Sequence, residues 1–156
     1  MAKIYCDMNI YNRFFDEQNQ LRIRLETTAI ILLFNEIESG VHELFWSFML
    51  AYENRLNPCA QHSKIVKELS LLCKNNKIVA SEEIRSLANT IKRRSNIKPK
   101  DALHLSCAEN AGCDYFLTCD DRLVKAMKAF QMALGLCIIS MNPVDFIREE
   151  MQDEHR

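Results

Sequence analysis

An α/β fold, with a parallel sheet covered by helices on both faces, is predicted by three features of this sequence. Short apolar runs of strand length alternate with longer stretches of helical periodicity, the order that builds parallel sheets. Only three Gly and three Pro occur in 156 residues, which excludes collagen-like, linker-like and turn-rich all-β chains. The hydrophobic fraction is 48% at a net charge of -1, which excludes disorder and supplies the core of one domain. No apolar run approaches the roughly 18 residues of a membrane helix. Met1-Ala2-Lys3 leads into the first strand without signal-peptide character, so a cytoplasmic location is expected.

The elements follow in order. Lys3 to Cys6 is a short strand, and Asp7-Met8-Asn9 is a strand-to-helix turn, because Asp and Asn favour helix N-caps. A short helix to Phe15 ends in the polar run Asp16 to Gln20. A longer helix from Leu21 to Glu38 carries Leu21, Leu25, Ala29, Leu32 and Leu33 along one side, and Gly40 suits its C-terminal cap. Glu43 to Trp46 is the second strand, and Ser47 caps a helix that holds Glu53 and stops near Asn57-Pro58. Gln61 to Asn75 is an amphipathic helix with Ile65, Leu69, Leu72 and Cys73 at helical spacing, followed by a weak strand over Ile78 to Ala80. Ser81-Glu82-Glu83 starts the next helix, to Arg94, and Pro99 starts the one that holds Asp101, ended by Gly112. Tyr115 to Thr118 is the fourth strand, Arg122 to Leu134 a helix, and Cys137 to Ser140 the last strand. A short terminal helix follows Asn142-Pro143. The domain is expected to span residues 1–148, with 149–156 a charged, fraying tail.

Seven cysteines form no CxxC pair and their number is odd, so neither a zinc nor a disulfide framework is indicated. Reduced, mostly buried thiols are expected. The four His show no paired spacing.

Acidic residues stand where a parallel sheet binds its ligands, outside the carboxyl ends of the strands. Asp7 follows the first strand and Asp120 the fourth. Asp101 opens the helix leading into the fourth strand, whose N-terminus faces the same edge in a βαβ unit. Glu53 lies on the helix after the second strand. Each Asp alone also reads as a helix cap or a complement to a helix dipole, and Glu53 alone as a surface residue. Together they make a cluster that cannot stay fully ionised without compensation. All-oxygen ligation suits Mg²⁺ or Mn²⁺, and such ions serve phosphodiester hydrolysis.

Four segments resemble the PIN-domain ribonucleases. Ile4-Tyr5-Cys6-Asp7-Met8-Asn9 resembles their opening strand and acidic turn, and Lys98-Pro99-Lys100-Asp101-Ala102-Leu103-His104-Leu105 their central helix start. Tyr115-Phe116-Leu117-Thr118-Cys119-Asp120 resembles the strand ending in Leu-Thr-x-Asp, and Ile139-Ser140-Met141-Asn142-Pro143-Val144-Asp145-Phe146 the closing strand and Asn-Pro turn. The four span nearly the whole chain in the family's order.

The resemblance implies a three-layer α/β/α fold and an Mg²⁺- or Mn²⁺-dependent endoribonuclease acting on RNA, with Asp7, Asp101 and Asp120 as metal-binding acids. Glu53 fits the family's further catalytic acid best; Glu36, Glu38 and Glu43 are rivals, on the preceding helix and the strand itself. Asn9 and Thr118 match polar positions that support the acids, and Asp121 is expected to reach the metal through water. Many such bacterial proteins are toxins silenced by an antitoxin protein, and homodimers follow from family behaviour. The stretch from Cys59 to Arg94 is more helical than in the smallest toxin-like members.

The pI near 6.4 does not mark a nucleic-acid binder, but Lys92, Arg93, Arg94, Lys98 and Lys100 place five cations in nine residues just before Asp101. They read either as a solvated helix end or as phosphate contacts beside the cleft. A rival to the nuclease is a non-catalytic nucleic-acid- or protein-binding module on the same fold. A haloacid-dehalogenase-like phosphatase needs a second acid two residues after its nucleophile, where Asn9 stands. The aromatic residues Tyr5, Phe14, Phe15, Phe34, Phe45, Trp46 and Phe48 read mainly as core. His104, one turn after Asp101, reads equally as facing the cleft or as a satisfied helix histidine.

Overall fold

The structure is a computed structural model and describes residues 1–155. Its elements are β1 (Lys3–Cys6), α1 (Met8–Asn12), α2 (Leu21–Glu38), β2 (Glu43–Ser47), α3 (Phe48–Arg55), α4 (Ala60–Ser70), β3 (Lys77–Ile78), α5 (Glu82–Arg94), α6 (Pro99–Asn110), β4 (Tyr115–Leu117), α7 (Asp121–Leu134), β5 (Ile139–Met141) and α8 (Pro143–Glu154). Short 3-10 turns at Arg13–Phe15 and Leu71–Cys73 extend α1 and α4.

The five strands form one parallel sheet in the order β3-β2-β1-β4-β5. Ile4 pairs with Leu44 and Tyr115, and Phe116 pairs with Ser140. Helices on both faces make the strands apolar throughout rather than alternating: Ile4, Tyr5 and Cys6 are all fully buried, as are Phe116 and Leu117. The result is the expected three-layer α/β/α architecture.

Local signals fix the helix starts. Asp7 caps α1 through the Met8 N–H, Ser47 caps α3 through Leu50, Ser81 caps α5 through Ile84, and Asn142 caps α8 through Val144. Gly40, just past α2, takes the left-handed φ of +81° that the chain needs there to turn into β2.

Three expectations are corrected. The buried face of α2 is Glu26, Ala29, Ile30, Leu33, Phe34 and Ile37, whereas Leu21, Leu25 and Leu32 face solvent. That helix carries apolar residues on two faces, and the sheet takes the one with the larger, more continuous set. Along α4 and the turn after it, Leu69 and Leu72 pack against the core and Cys73 is buried as expected, but Ile65 is exposed and Val66 takes the buried place at that level. Finally, the charged stretch from Glu149 continues α8 to Glu154 instead of fraying; Arg156 lies outside the described residues. Phe146, fully buried, and Glu150, bonded to His42, hold this helix down. No helix among the described residues is long and apolar enough to cross a membrane.

In this strand order the connections leave β1 towards β2 on one side and enter β4 on the other. The crevice at the carboxyl ends of β1 and β4 is the topological switch point, where such sheets place ligands.

Candidate acidic site at the switch point

Asp7 and Asp120 emerge side by side because β1 and β4 are neighbours, with Cys6 opposite Leu117. Thr118, fully buried, ties them together. Its hydroxyl donates to Asp7 Oδ2 at 2.9 Å and accepts from the Asp120 N–H at 3.1 Å and from Asn9 Nδ2 at 3.0 Å. Asn9 uses its other amide hydrogen on Asp7 Oδ2, at 3.2 Å, and its oxygen accepts from the Cys119 N–H at 3.0 Å. The Met8 N–H binds Asp7 Oδ1 at 2.8 Å. Three donors thus fix the Asp7 carboxylate. One oxygen of Asp120 caps α7 through the Arg122 and Leu123 N–H groups, so the cap and site readings of this residue are compatible.

A helix that feeds a parallel strand runs antiparallel to it, which brings the start of α6, and with it Asp101, to the same edge. No hydrogen bond among the described residues reaches the Asp101 carboxylate. Burial, and then the negative charges of Asp7 and Asp120, raise its pKa above the ordinary aspartate value, with His104 and Lys100 pulling the other way. Burial also raises Asp7, against His104 and its donors Thr118 and Met8. Like charge and desolvation together oppose full ionisation of Asp101 beside the other two aspartates.

Glu53, on α3, is held differently. His104 Nε2 binds its Oε1 and Lys100 Nζ its Oε2 at 3.0 Å. Burial opposes ionisation here too, but the bonds and charges of His104 and Lys100 outweigh it and hold Glu53 below the ordinary glutamate range. Behind Glu53 runs a buried chain: His104 Nδ1 meets the Tyr5 hydroxyl at 2.6 Å, which meets Ser47 Oγ at 2.6 Å. A proton on Nε2 serves Glu53, and the Tyr5 hydroxyl, able both to donate and to accept, joins Nδ1 to Ser47. No local pattern points to Tyr5 or Ser47 in this role; the place of His104 one turn after Asp101 is the signal for that residue.

Asp121, next in the chain after Asp120, begins α7 and is exposed. Both its oxygens engage the Arg22 guanidinium, one at 2.7 Å, and this fork holds its carboxyl below the usual range. This exposed pair is the contact that holds the Asp121 side chain. Arg22 also donates to the Cys119 carbonyl at 3.3 Å. Nearby, the buried Glu26 accepts from Asn142 Nδ2 at 2.6 Å and pairs with Arg13 at 3.2 Å, which fastens α2 to the turn before α8. A Glu in the buried phase of an apolar helix was the available signal for Glu26.

Of the basic stretch, only Lys100 has a contact with the acids among the described residues. Arg93, Arg94 and Lys98 are exposed, and Lys100 reaches back to Glu53 from a largely exposed position. The rivals Glu36, Glu38 and Glu43 lie outside the crevice. Glu36 belongs to a compact group with His42 and Glu150, whose candidate ligand atoms lie within 4.8 Å of one another, at the opposite end of the sheet. There His42 Nδ1 accepts the Ala2 N–H at 3.1 Å, so Nε2 carries the proton it offers to Glu150 at 3.1 Å. That tautomer has no lone pair on Nε2 for a metal, and the group instead ties α2 and α8 to the start of the chain.

The PIN domain family model matches residues 4–129. Among solved structures, FitAB bound to the IR36 DNA fragment is similar in fold, at a TM-score of 0.62 and 13% identity, over 90% of this chain and 95% of that one. No curated protein matches significantly.

Proposed function

This chain belongs to the PIN-domain family, whose members are in general nucleases, and from that premise we propose that it is an Mg²⁺- or Mn²⁺-dependent endoribonuclease. The observation that carries the reading is that Thr118 bridges Asp7 and Asp120 at the β1–β4 switch point while the charges of both acids act on Asp101. Their all-oxygen donor set fits a hard divalent ion, and neutralising charge there would relieve the repulsion that raises Asp101. Asp7, Asp101 and Asp120 would hold the ion, with Glu53 as the fourth acid of the site. A bound ion of this kind supplies Lewis-acid polarisation of a phosphoryl oxygen and a more acidic water.

The remaining work falls to the protein. Thr118 and Asn9 set the orientation of Asp7, and His104, braced by Tyr5, sets that of Glu53. Arg93, Arg94, Lys98 and Lys100 would contact backbone phosphates, a term that weakens with salt. An antitoxin protein as partner, and a homodimer, belong to the same proposal.

The test is incubation with single-stranded and structured RNA in Mn²⁺, Mg²⁺ or EDTA, beside Asp7→Asn and Asp101→Asn. Metal-dependent cleavage lost in both variants supports the reading. Cleavage retained in both overturns it, and tight metal-independent RNA binding without cleavage moves the weight to a binding module.

A further inference from the structure

Beside the acidic site lies a cavity of about 390 Å³, bounded by the Arg13–Phe15 turn, the α3–α4 connection and the start of α4. Glu53 and Lys100 form its wall towards the acids, and Met8, next to Asp7, lines it as well. Whatever enters this cavity therefore sits immediately beside the cluster. Its volume is within the range of small-ligand sites.

Its most specific feature is a flat aromatic surface. Phe15 and His62 stack face to face, ring centroids 3.9 Å apart and planes 4° from parallel. Both rings are partly exposed and both line the cavity. Asn12 and Asn57 add amide groups to the same lining. Asn57 gives its oxygen to the Cys59 N–H at 3.0 Å, which leaves its NH₂ group as a donor.

An aromatic face with amides at its margin, next to carboxylates and an exposed lysine, matches how proteins hold an unpaired base. Single-stranded RNA is held by stacking bases on aromatic rings while cations follow the phosphates, and side-chain amides bond the base edges. We propose that this cavity is a nucleobase subsite, in which the base flanking the scissile phosphate of single-stranded RNA stacks on the Phe15–His62 pair. The proposal rests on the nuclease reading for the identity of the neighbouring site, but its physical content is a binding contact that needs no cleavage.

The experiment measures fluorescence anisotropy of a short labelled single-stranded RNA with the full chain in EDTA, for the wild type, Phe15→Leu and His62→Ala. Leucine keeps apolar volume without the ring, and circular dichroism and melting curves confirm that each variant folds. Loss of one stacking contact weakens binding by about five- to a hundredfold. The salt dependence should be unchanged, because no phosphate contact is removed. The same backbone carrying abasic ribose throughout should bind the wild type at least as weakly as intact RNA binds Phe15→Leu, and should not distinguish the two proteins. Folded variants that bind like the wild type, a wild type indifferent to abasic ribose, or a wild type that binds no RNA would each overturn the subsite. Metal-dependent cleavage by the wild type against Asp101→Asn judges the nuclease separately. Cleavage without a stacking effect sinks only the subsite, and a stacking effect without cleavage sinks only the nuclease.

Discussion

Replacing Thr118 with valine removes one oxygen from the centre of the acidic site and little else. The residue is fully buried and valine has nearly its shape, so packing is preserved. The lost hydroxyl donates to a buried carboxylate, Asp7 Oδ2, at 2.9 Å and accepts from Asn9 and from the Asp120 N–H. A hydrogen bond to a charged group contributes about 1.5–3 kcal/mol, and the two donors left behind are only partly buried and can turn to water. The expected loss is therefore about 2–3 kcal/mol, or roughly 4–12 °C in melting temperature for a chain of this size. A second effect follows at the carboxylate. Thr118 is one of the groups that lower the Asp7 pKa against burial, so its removal raises that pKa further and makes the ionised form harder to keep. Supporting partners of this kind change metal affinity by about 10- to 100-fold. Thermal melts of the metal-free protein and calorimetric titration with Mn²⁺ read the two effects, and Thr118→Ser, which keeps the hydroxyl, should recover most of both. A Thr118→Val protein that melts with the wild type and takes Mn²⁺ equally well would refute the argument that this hydroxyl organises the site.

Other substitutions test other parts of the structure. Asp101→Asn should raise the melting temperature of the metal-free protein while abolishing cleavage, because the amide escapes the desolvation and the repulsion from Asp7 and Asp120 that raise the acid. For Asp7 and Asp101 the native pKa lies above the unfolded value, so the native state binds more protons. Metal-free stability, measured by urea titration, should accordingly contain a component that falls as pH rises from about 4 through those raised values, smaller in Asp101→Asn. Glu53, lowered by His104 and Lys100 despite burial, works in the opposite sense: its stabilisation is present above the usual glutamate range and is lost as pH falls through its native value. Ellman's reagent should modify exposed Cys137 at once in native protein, whereas Cys107, Cys113 and Cys119, pushed up to about 12 by burial, should react only after unfolding. Glu26→Ala takes one partner from Arg13, which keeps Asp16, and the acceptor from Asn142, and should cost about 1–3 kcal/mol in urea unfolding. An unchanged unfolding midpoint would show that the Glu26 network carries no weight.

The parts of this molecule that were readable in sequence are those specified by residues close together in the chain. Asp7, Ser47, Ser81 and Asn142 each announce a helix start because a cap needs only its own next few N–H groups. The shared edge of Asp7 and Asp120 was legible for a related reason: strand ends are local, and a parallel sheet gathers them at one edge whatever its strand order. Asp121 shows the limit of that reasoning. It follows Asp120 directly, but Asp120 is the extended N-cap and Asp121 the first helical residue, so the two side chains part, one accepting from the first N–H groups of α7 and the other pairing with Arg22. The face of α2 failed for want of contrast, since Leu21, Leu25 and Leu32 are as apolar as Ile30 and Leu33, and only the sheet chooses between them.

The support behind Glu53 lies beyond local reading altogether. Tyr5 and His104 are 99 positions apart, and Tyr5 and Ser47 are 42 apart. In the sequence Tyr5 is one more bulky residue in a buried strand, and a phenylalanine would fill the same space. Its hydroxyl acquires a purpose only when β1 lies between β2 and β4 with α6 packed across them. Ser47 and His104 then converge on one buried point that only a group able both to donate and to accept can satisfy. Strand order thus decides which hydroxyl steadies the histidine, and through it which carboxylate stands ready beside the three aspartates.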